Sequence, residues 1–131
     1  WVFALADGGL STPAVYAECD RLRGVDVPDP TVPDAMLVAL ASGDAAALGA
    51  SLSNDLQRAA VSLRPQLAQV LSVGEEYGAL GGVVSGSGPT CAFLAANEDA
   101  AVRLSVALSG LGLARAVRRA SGPVAGARLQ A

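Results

Sequence analysis

The apolar positions of the chain change from a strand-like pattern to a helical one and then back. Residues 2–6 form a short apolar run typical of a buried strand, and the Asp-Gly-Gly sequence at 7–9 predicts a turn. Helical spacing of apolar residues follows, and short runs rich in Val, Phe and Leu return after residue 80. The predicted order is strand, helices, strand, strand, helix, strand.

The first helix has two possible starts. With Thr12 as the N-cap, Pro13 occupies the first helical position, which proline favours. With Ser11 as the N-cap, Leu10 packs against Val15 as a hydrophobic staple. In both cases the helix runs to about residue 23 and ends at a glycine. Its predicted buried stripe consists of Val15, Cys19 and Leu22.

Further helices are predicted across the middle of the chain, after a Pro-rich loop at 25–33. They cover about 34–42 and 44–52, then a segment starting at Asn54, then a segment from Pro65 to about residue 77. Asn54, with Gln57 three residues later, has the spacing of a capping box, so we expect Asn54 to be a helix N-cap without a catalytic role.

Two short strands at 82–85 and 91–96 come next, followed by a helix that Asn97 caps. The predicted buried stripe of this helix is Leu104, Leu108 and Leu111, and glycines end it. A strand at 114–120 follows, and the tail up to residue 131 is a candidate for one more short strand. This order predicts an α+β, ferredoxin-like (split βαβ) domain. Its antiparallel sheet would carry helices on one face and extra helices in the first crossover.

The residue types that are missing exclude several chemistries. The chain has no His and no Lys, and all nine cationic residues are Arg. It therefore supplies no Ser-His or Cys-His pair, no His metal site, no Walker A lysine and no Schiff-base amine. A high-GC coding bias is the simplest explanation for the missing Lys. Cys19 and Cys91 fit no metal-ligand spacing and are expected to be reduced thiols.

Charge and hydropathy restrict the partners and the compartment. Net charge is −3, which argues against a nucleic-acid partner. All acids lie at or before Asp99, so the last third is basic. This basic third could meet phosphate, but a solvated strand face is the favoured interpretation. No signal peptide and no membrane-spanning run is visible, so a cytoplasmic protein is expected. Because Trp1 opens directly onto a strand, the chain is expected to be part of a longer protein.

The segment most suggestive of chemistry is the loop from Ser85 to Thr90, which lies between two strands. Its sequence is Ser-Gly-Ser-Gly-Pro-Thr, and it matches neither a dinucleotide fingerprint, nor a P-loop, nor a nucleophile elbow. Two glycines allow a ligand to approach the backbone, and successive N–H groups can bind an anion. The alternative is a plain hairpin turn. The residues alone leave both interpretations open.

This Gly-rich loop resembles the third motif of the GHMP kinases, and two other segments agree with that resemblance. Leu52–Leu56 is similar to an Asn-Asp-Leu helix start in the same C-terminal domain. Residues 7–16 resemble the opening of that domain in the branch that acts on a cytidine diphosphate-linked methylerythritol. The resemblance covers 1–131 as one C-terminal domain, and it implies that an N-terminal catalytic and ATP-binding domain lies outside this chain.

The resemblance implies an activity and a set of site residues. The activity is phosphoryl transfer from ATP, with Mg²⁺, to the 2-hydroxyl of the methylerythritol unit in non-mevalonate isoprenoid synthesis. Tyr16 would stack on the cytosine ring and Thr12 would lie beside the same substrate. The loop residues Ser85, Gly86, Ser87, Gly88, Pro89 and Thr90 would close over the reacting groups. The N-terminal domain would be the partner, and no catalytic or metal-binding residue is assigned to this chain.

Alternatives to this assignment stay open. Tyr16 lies off the predicted core stripe, in a mostly polar row, which suits a stacking ligand but also a half-exposed Tyr against a neighbouring domain. The protein could be another GHMP kinase, such as a homoserine kinase. It could also be a non-catalytic ferredoxin-like binding or dimerisation module.

Overall fold

The computed structural model describes residues 1–24, 27, 29–127 and 129. Within these ranges, strands β1 (Val2–Leu5), β2 (Gly81–Val84), β3 (Cys91–Leu94) and β4 (Ala116–Arg119) form one antiparallel sheet in the order β2-β3-β1-β4. The predicted α+β class, the antiparallel sheet and the order of elements are confirmed. The tail carries no strand in its described residues, 121–127 and 129, so a further strand is not formed there.

Helices fill the two connections that the sequence analysis assigned to them. Their bounds are α1 Thr12–Arg23, α2 Asp34–Ser42, α3 Ala45–Ala50, α4 Gln57–Leu63, α5 Gln66–Glu76 and α6 Glu98–Gly110. Most of these bounds lie within about two residues of the predicted ones. The exception is α4, which begins at Gln57 with Leu56 as its N-cap, so the predicted start at Asn54 is wrong. Residues 25, 26 and 28 of the predicted Pro-rich loop lie outside the described residues.

The start of α1 is settled in favour of Ser11. The Ser11 hydroxyl accepts a hydrogen bond from the Ala14 amide at 3.4 Å, as an N-cap does. Pro13 sits in the first turn, where its missing N–H is not needed. Leu10 packs against the core, and Val15 and Cys19 are buried, as predicted. Thr12 is left with a hydroxyl that takes no part in capping its own helix.

The core lies on one face of the sheet and is centred on Phe93, which is fully buried. Val2, Ala4, Val84 and Cys91 are the other fully or nearly fully buried sheet residues of this core cluster. Gly74 of α5 and Gly82 of β2 border the Phe93 ring, and a β-carbon on either glycine would overlap it. The Phe93 ring therefore occupies the space that side chains at these two positions would need, since protein interiors are close-packed.

Two features of the core correct or complete the sequence analysis. Leu104 and Leu108 of α6 are buried as predicted, but Leu111 is 50 % exposed. The helix ends at Gly110, so Leu111 is its C-cap and no longer follows the helical spacing. Both cysteines are free and buried, and burial raises the pKa of Cys91 to about 11, which keeps its thiol protonated and unreactive.

The cationic residues of the C-terminal third lie at the surface. Four of the five C-terminal Arg residues fall in the described ranges, and all four (Arg103, Arg115, Arg118 and Arg119) are exposed. Exposure is compatible with both the solvated-face and the phosphate interpretation. None of the helices within the described ranges has both the length and the apolar character needed to cross a bilayer.

Helices α1 and α4 are tied together through Glu18. Its carboxylate binds the Arg21 guanidinium through two contacts of 2.7 and 2.8 Å and accepts a hydrogen bond from the Ser62 hydroxyl of α4 at 2.5 Å. The Arg21 contact first, and the Ser62 hydroxyl second, lower the pKa of Glu18 from 4.5 to about 2. These contacts favour the ionised carboxylate and hold α1 in place.

Gly74→Ala is expected to destabilise the protein by about 1–3 kcal/mol, because the new methyl group overlaps the buried Phe93 ring. Gly110→Ala is the matched control, since Gly110 is also helical but a β-carbon there meets nothing within 4 Å. The control should be neutral or slightly stabilising because alanine favours helices more than glycine does. Urea unfolding measures both, and an equal effect of the two substitutions would contradict the packing argument.

Glu18→Gln is expected to remove a pH-dependent part of the stability. A carboxylate with a lowered pKa in the folded state stabilises it above its ordinary pKa of 4.5, and the effect is lost as pH falls towards 2. The difference in unfolding free energy between wild type and variant should therefore be constant above pH ~5 and shrink below it. Urea unfolding across this range measures the difference, with Glu75→Gln, at an exposed position of α5, as the control for removing one carboxylate. A pH-independent difference would be the opposing result.

Candidate functional site

Two predicted site segments meet through one polar contact. The Thr12 hydroxyl, in the first turn of α1, lies 2.8 Å from the Ser87 hydroxyl of the Gly-rich loop, and either oxygen can be the donor. The two residues are 75 positions apart in the chain. The fold therefore brings the start of α1 and the Gly-rich loop onto one surface.

The Gly-rich loop is the connection of the β2–β3 hairpin and has a defined internal structure. The Ser85 amide donates to the Thr90 carbonyl at 2.8 Å, and the Gly88 amide donates to the Ser85 carbonyl at 2.9 Å. Gly86 and Gly88 have φ values of +57° and +81°, a region that side-chain-bearing residues rarely adopt. The glycines are needed to close this turn.

The tip of the loop offers backbone donors to a ligand. Neither the Gly86 amide nor the Ser87 amide donates to an acceptor among the residues that the structure describes. Ser85 and Gly86 are exposed, so the tip is open to solvent. Consecutive N–H groups in a turn of this kind can bind an anion such as a phosphate.

Tyr16 lies on the same exposed side of α1 as Thr12. Four residues of helix separate the two by ~6 Å along the axis, and residues at this spacing share a face. Tyr16 is 54 % exposed, whereas the adjacent Val15 is fully buried. An exposed aromatic ring held on a packed helix can serve as a stacking surface for a planar ligand.

Asn54 holds the loop, a role that the sequence analysis missed. Its amide nitrogen donates to the Val84 carbonyl and to the Gly86 carbonyl, both at 2.7 Å. Its amide oxygen accepts from the Leu56 amide at 3.0 Å. The predicted capping box is wrong because the side-chain nitrogen of Asn54 bonds to a segment 30 and 32 residues away instead of to its own helix.

Gln57 completes the contact from the first turn of α4. Its side-chain oxygen accepts a hydrogen bond from the Val84 amide at 2.9 Å. Both backbone groups of Val84 are therefore bonded to side chains from one segment, and we call Asn54 and Gln57 the Val84 clamp. The spacing of three residues was visible in the sequence, but it is also the spacing of a capping box. No local feature of the sequence distinguishes a capping box from the Val84 clamp.

Neighbouring contacts fix the elements that carry the site. Asp55 pairs with Arg23 of α1 at 3.1 Å, which links the clamp segment to the helix that carries Tyr16. Arg64 donates to the Asp7 carbonyl at 2.6 Å and so anchors the turn that precedes α1. Asp7 thus contributes a backbone acceptor, and its exposed carboxylate has no assigned role.

The described residues contain no cluster of three or more His, Cys, Asp or Glu side chains that could hold a metal ion. The arrangement instead offers hydroxyls, backbone N–H groups and one exposed ring. Such groups can bind and orient a ligand, and none of them is an evident general base.

Sequence comparison relates the chain to a set of named kinases. The family model described as "GHMP kinases C terminal" matches residues 36–112. The chain is 60 % identical to the 4-diphosphocytidyl-2-C-methyl-D-erythritol kinase of Nocardia farcinica over 130 residues, covering 98 % of this chain and 42 % of that protein. It is 58 % identical to the protein of the same name from Thermobifida fusca, covering 97 % of this chain and 41 % of that one. The chain thus spans about two fifths of the length of these curated relatives.

Solved structures show the same fold. A crystal structure of 4-(cytidine 5'-diphospho)-2C-methyl-D-erythritol kinase superimposes with a TM-score of 0.70 at 28 % identity, over 89 % of this chain and 40 % of that one. The L. major mevalonate kinase superimposes with a TM-score of 0.68 at 20 % identity, over 90 % and 40 % of the two chains. The family match extends over more than half of the residues of this chain. This chain therefore belongs to the GHMP kinases, as a C-terminal domain of that family.

Proposed function

We propose that this chain is the C-terminal part of an ATP-dependent kinase that phosphorylates the 2-hydroxyl of 4-diphosphocytidyl-2-C-methyl-D-erythritol in non-mevalonate isoprenoid synthesis. Membership of the GHMP kinases and relatives of that name at 58 and 60 % identity support this assignment over a stand-alone binding module. The observation that carries it is the contact between Thr12 and Ser87. That contact joins the proposed substrate helix to the proposed phosphate loop.

The proposed reaction is a phosphoryl transfer from ATP to a hydroxyl group. The bond from the γ-phosphorus of ATP to the β–γ bridging oxygen breaks, and a bond from that phosphorus to the substrate 2-hydroxyl oxygen forms. The hydroxyl proton is released and ADP leaves. Such reactions depend mainly on positioning and charge stabilisation. Mg²⁺ is expected with ATP, but the described residues do not fit a metal site, so no part in holding it is assigned to them.

The proposed roles follow from exposure and hydrogen-bonding capacity. Tyr16 would stack on the cytosine ring, since its ring is exposed on a packed helix. Thr12 would contact the same substrate through its hydroxyl. The loop from Ser85 to Thr90 would face the phosphate groups, and the open amides of Gly86 and Ser87 support that role.

The proposed partner is an N-terminal domain of the same enzyme, which would supply the catalytic residues. The relatives are more than twice as long as this chain, which supports a further domain. The exposed surface of helix α2 is also apolar, because Leu37, Val38 and Leu40 are all more than half exposed. Exposed apolar patches often mark contact surfaces. A cytoplasmic location is proposed from the metabolic role.

The ferredoxin-like description of the fold is part of the same proposal. The strand order β2-β3-β1-β4 and the placement of α1 to α5 between β1 and β2 support a split βαβ arrangement with an enlarged first crossover. The sheet residues of the main core cluster share one face, which supports helices on that face.

Tyr16→Ala is expected to weaken binding of 4-diphosphocytidyl-2-C-methyl-D-erythritol by roughly 1–3 kcal/mol, the value of a base–aromatic stack. Calorimetric titration into the full-length protein measures this, with CTP and ATP as comparison ligands. Tyr77→Ala is the matched control, because Tyr77 is 52 % exposed but follows the last residue of α5, ~15 Å along the helix axis from Leu67, whose side chain lies beside Gly88 of the loop.

The outcomes separate three conclusions. Loss of affinity in Tyr16→Ala with no change in Tyr77→Ala supports the cytosine-stacking role and the named substrate together. Binding of ATP without any binding of cytidine ligands would keep the family and reject the named substrate. Equal affinity of wild type and Tyr16→Ala for the cytidine substrate would reject Tyr16 as the stacking residue.

A further inference from the structure

The Val84 clamp binds the last residue of strand β2, which leads directly into the Gly-rich loop. Strand β2 is an edge strand, so the backbone groups on its outer side pair with no other strand of the described residues. Val84 is buried, and an unpaired backbone group there would be costly. Gln57 accepts from the Val84 amide and Asn54 donates to the Val84 carbonyl, so side chains replace the missing strand.

Asn54 also fixes the peptide group at the tip of the loop. The Gly86 carbonyl, which accepts from Asn54, belongs to the same planar trans peptide as the Ser87 amide. In such a peptide the N–H points opposite to the C=O. Holding the Gly86 carbonyl towards Asn54 therefore aims the Ser87 N–H away from Asn54, towards the open side of the loop.

The Ser87 amide donates to no acceptor in the part of the chain that the structure describes. The direction of the Ser87 N–H is thus set by Asn54, and this N–H is free to donate a hydrogen bond to a ligand. From these contacts we infer that Asn54, supported by Gln57, is a positioning residue that orients the loop amides towards the transferred phosphate. The inference rests on the proposed function, and it adds two residues that act through the loop without touching substrate.

The chemistry of the clamp makes the two residues respond differently to the same kind of substitution. Asn54 acts on the loop as a donor, so Asn54→Asp places a carboxylate against the Val84 and Gly86 carbonyls and cannot hold them. Gln57 acts as an acceptor through its side-chain oxygen, and Gln57→Glu retains that oxygen. Gln57→Ala removes it.

The test is steady-state kinetics of the full-length protein with ATP and 4-diphosphocytidyl-2-C-methyl-D-erythritol. Asn54→Asp is expected to lower kcat by roughly 10- to 100-fold, as misplaced positioning groups do, while KM for the cytidine substrate changes little because Tyr16 lies on α1. Gln57→Ala should also lower kcat, and Gln57→Glu should restore it. A role in stability alone would not produce this split between kcat and KM.

Asn97→Asp is the matched control. Asn97 also accepts a backbone N–H through its side-chain oxygen, from Ala100 at 2.9 Å, but it caps α6 away from the loop. The same chemical change there should leave kcat at the wild-type value. Amide hydrogen exchange provides a readout independent of turnover: protection of the Val84 amide should fall in Gln57→Ala and remain in Gln57→Glu.

Each result supports or overturns the inference. Wild-type kcat in Asn54→Asp, or a rise in KM at unchanged kcat, would overturn it while leaving the proposed function intact. An equal loss in Asn97→Asp would overturn it as well, since the effect would then be general. If the wild-type protein binds but does not phosphorylate the substrate, the proposed function fails and this inference fails with it.

Discussion

The edge of the sheet at β2 is the constraint on which both the fold and the site depend. An edge strand exposes a row of backbone donors and acceptors, and in this domain the helical segment before β2 covers that row at both of its ends. At one end of β2, Gly81 lies so close to the backbone of Gly49 in α3 that a β-carbon would overlap its carbonyl group. At the other end, Asn54 and Gln57 bind the backbone of Val84. The same contacts that complete the sheet therefore also define the loop.

The core connects this edge to the rest of the domain through Phe93. Its ring fills the space between Gly74 of α5 and Gly82 of β2, so the edge strand and the helix are both packed against one side chain of β3. A shift of β2 would open a cavity beside Phe93, and cavities in a core are costly. The loop is consequently supported from beneath by packing and from the side by hydrogen bonds.

Local features were predictable because local physics determines them. The strands, the helix order and the cap at Asn97 follow from short-range preferences that the fold does not override, and Ser11 was one of the two candidate caps of α1. The failures lie where a local pattern has two outcomes. Leu111 continues the helical spacing, but the helix ends before it. Asn54 has the spacing of a cap, yet its side-chain donors bind a strand that no local pattern identifies.

The candidate site was predictable as separate segments but not as an arrangement. Thr12, Tyr16 and the loop could each be proposed from the sequence, whereas their proximity depends on how α1 packs beside the β2–β3 hairpin. The hydroxyls of Thr12 and Ser87 share a hydrogen bond, and a net contribution of about 1 kcal/mol is typical of such a bond. The loop is also held by Asn54 and by Gln57 of α4, and this segment is linked to α1 through the Arg23–Asp55 pair and the Glu18–Ser62 hydrogen bond. Helix α1 and the Gly-rich loop are therefore connected both directly and through the α4 segment, so their relative placement depends on how these three elements pack together.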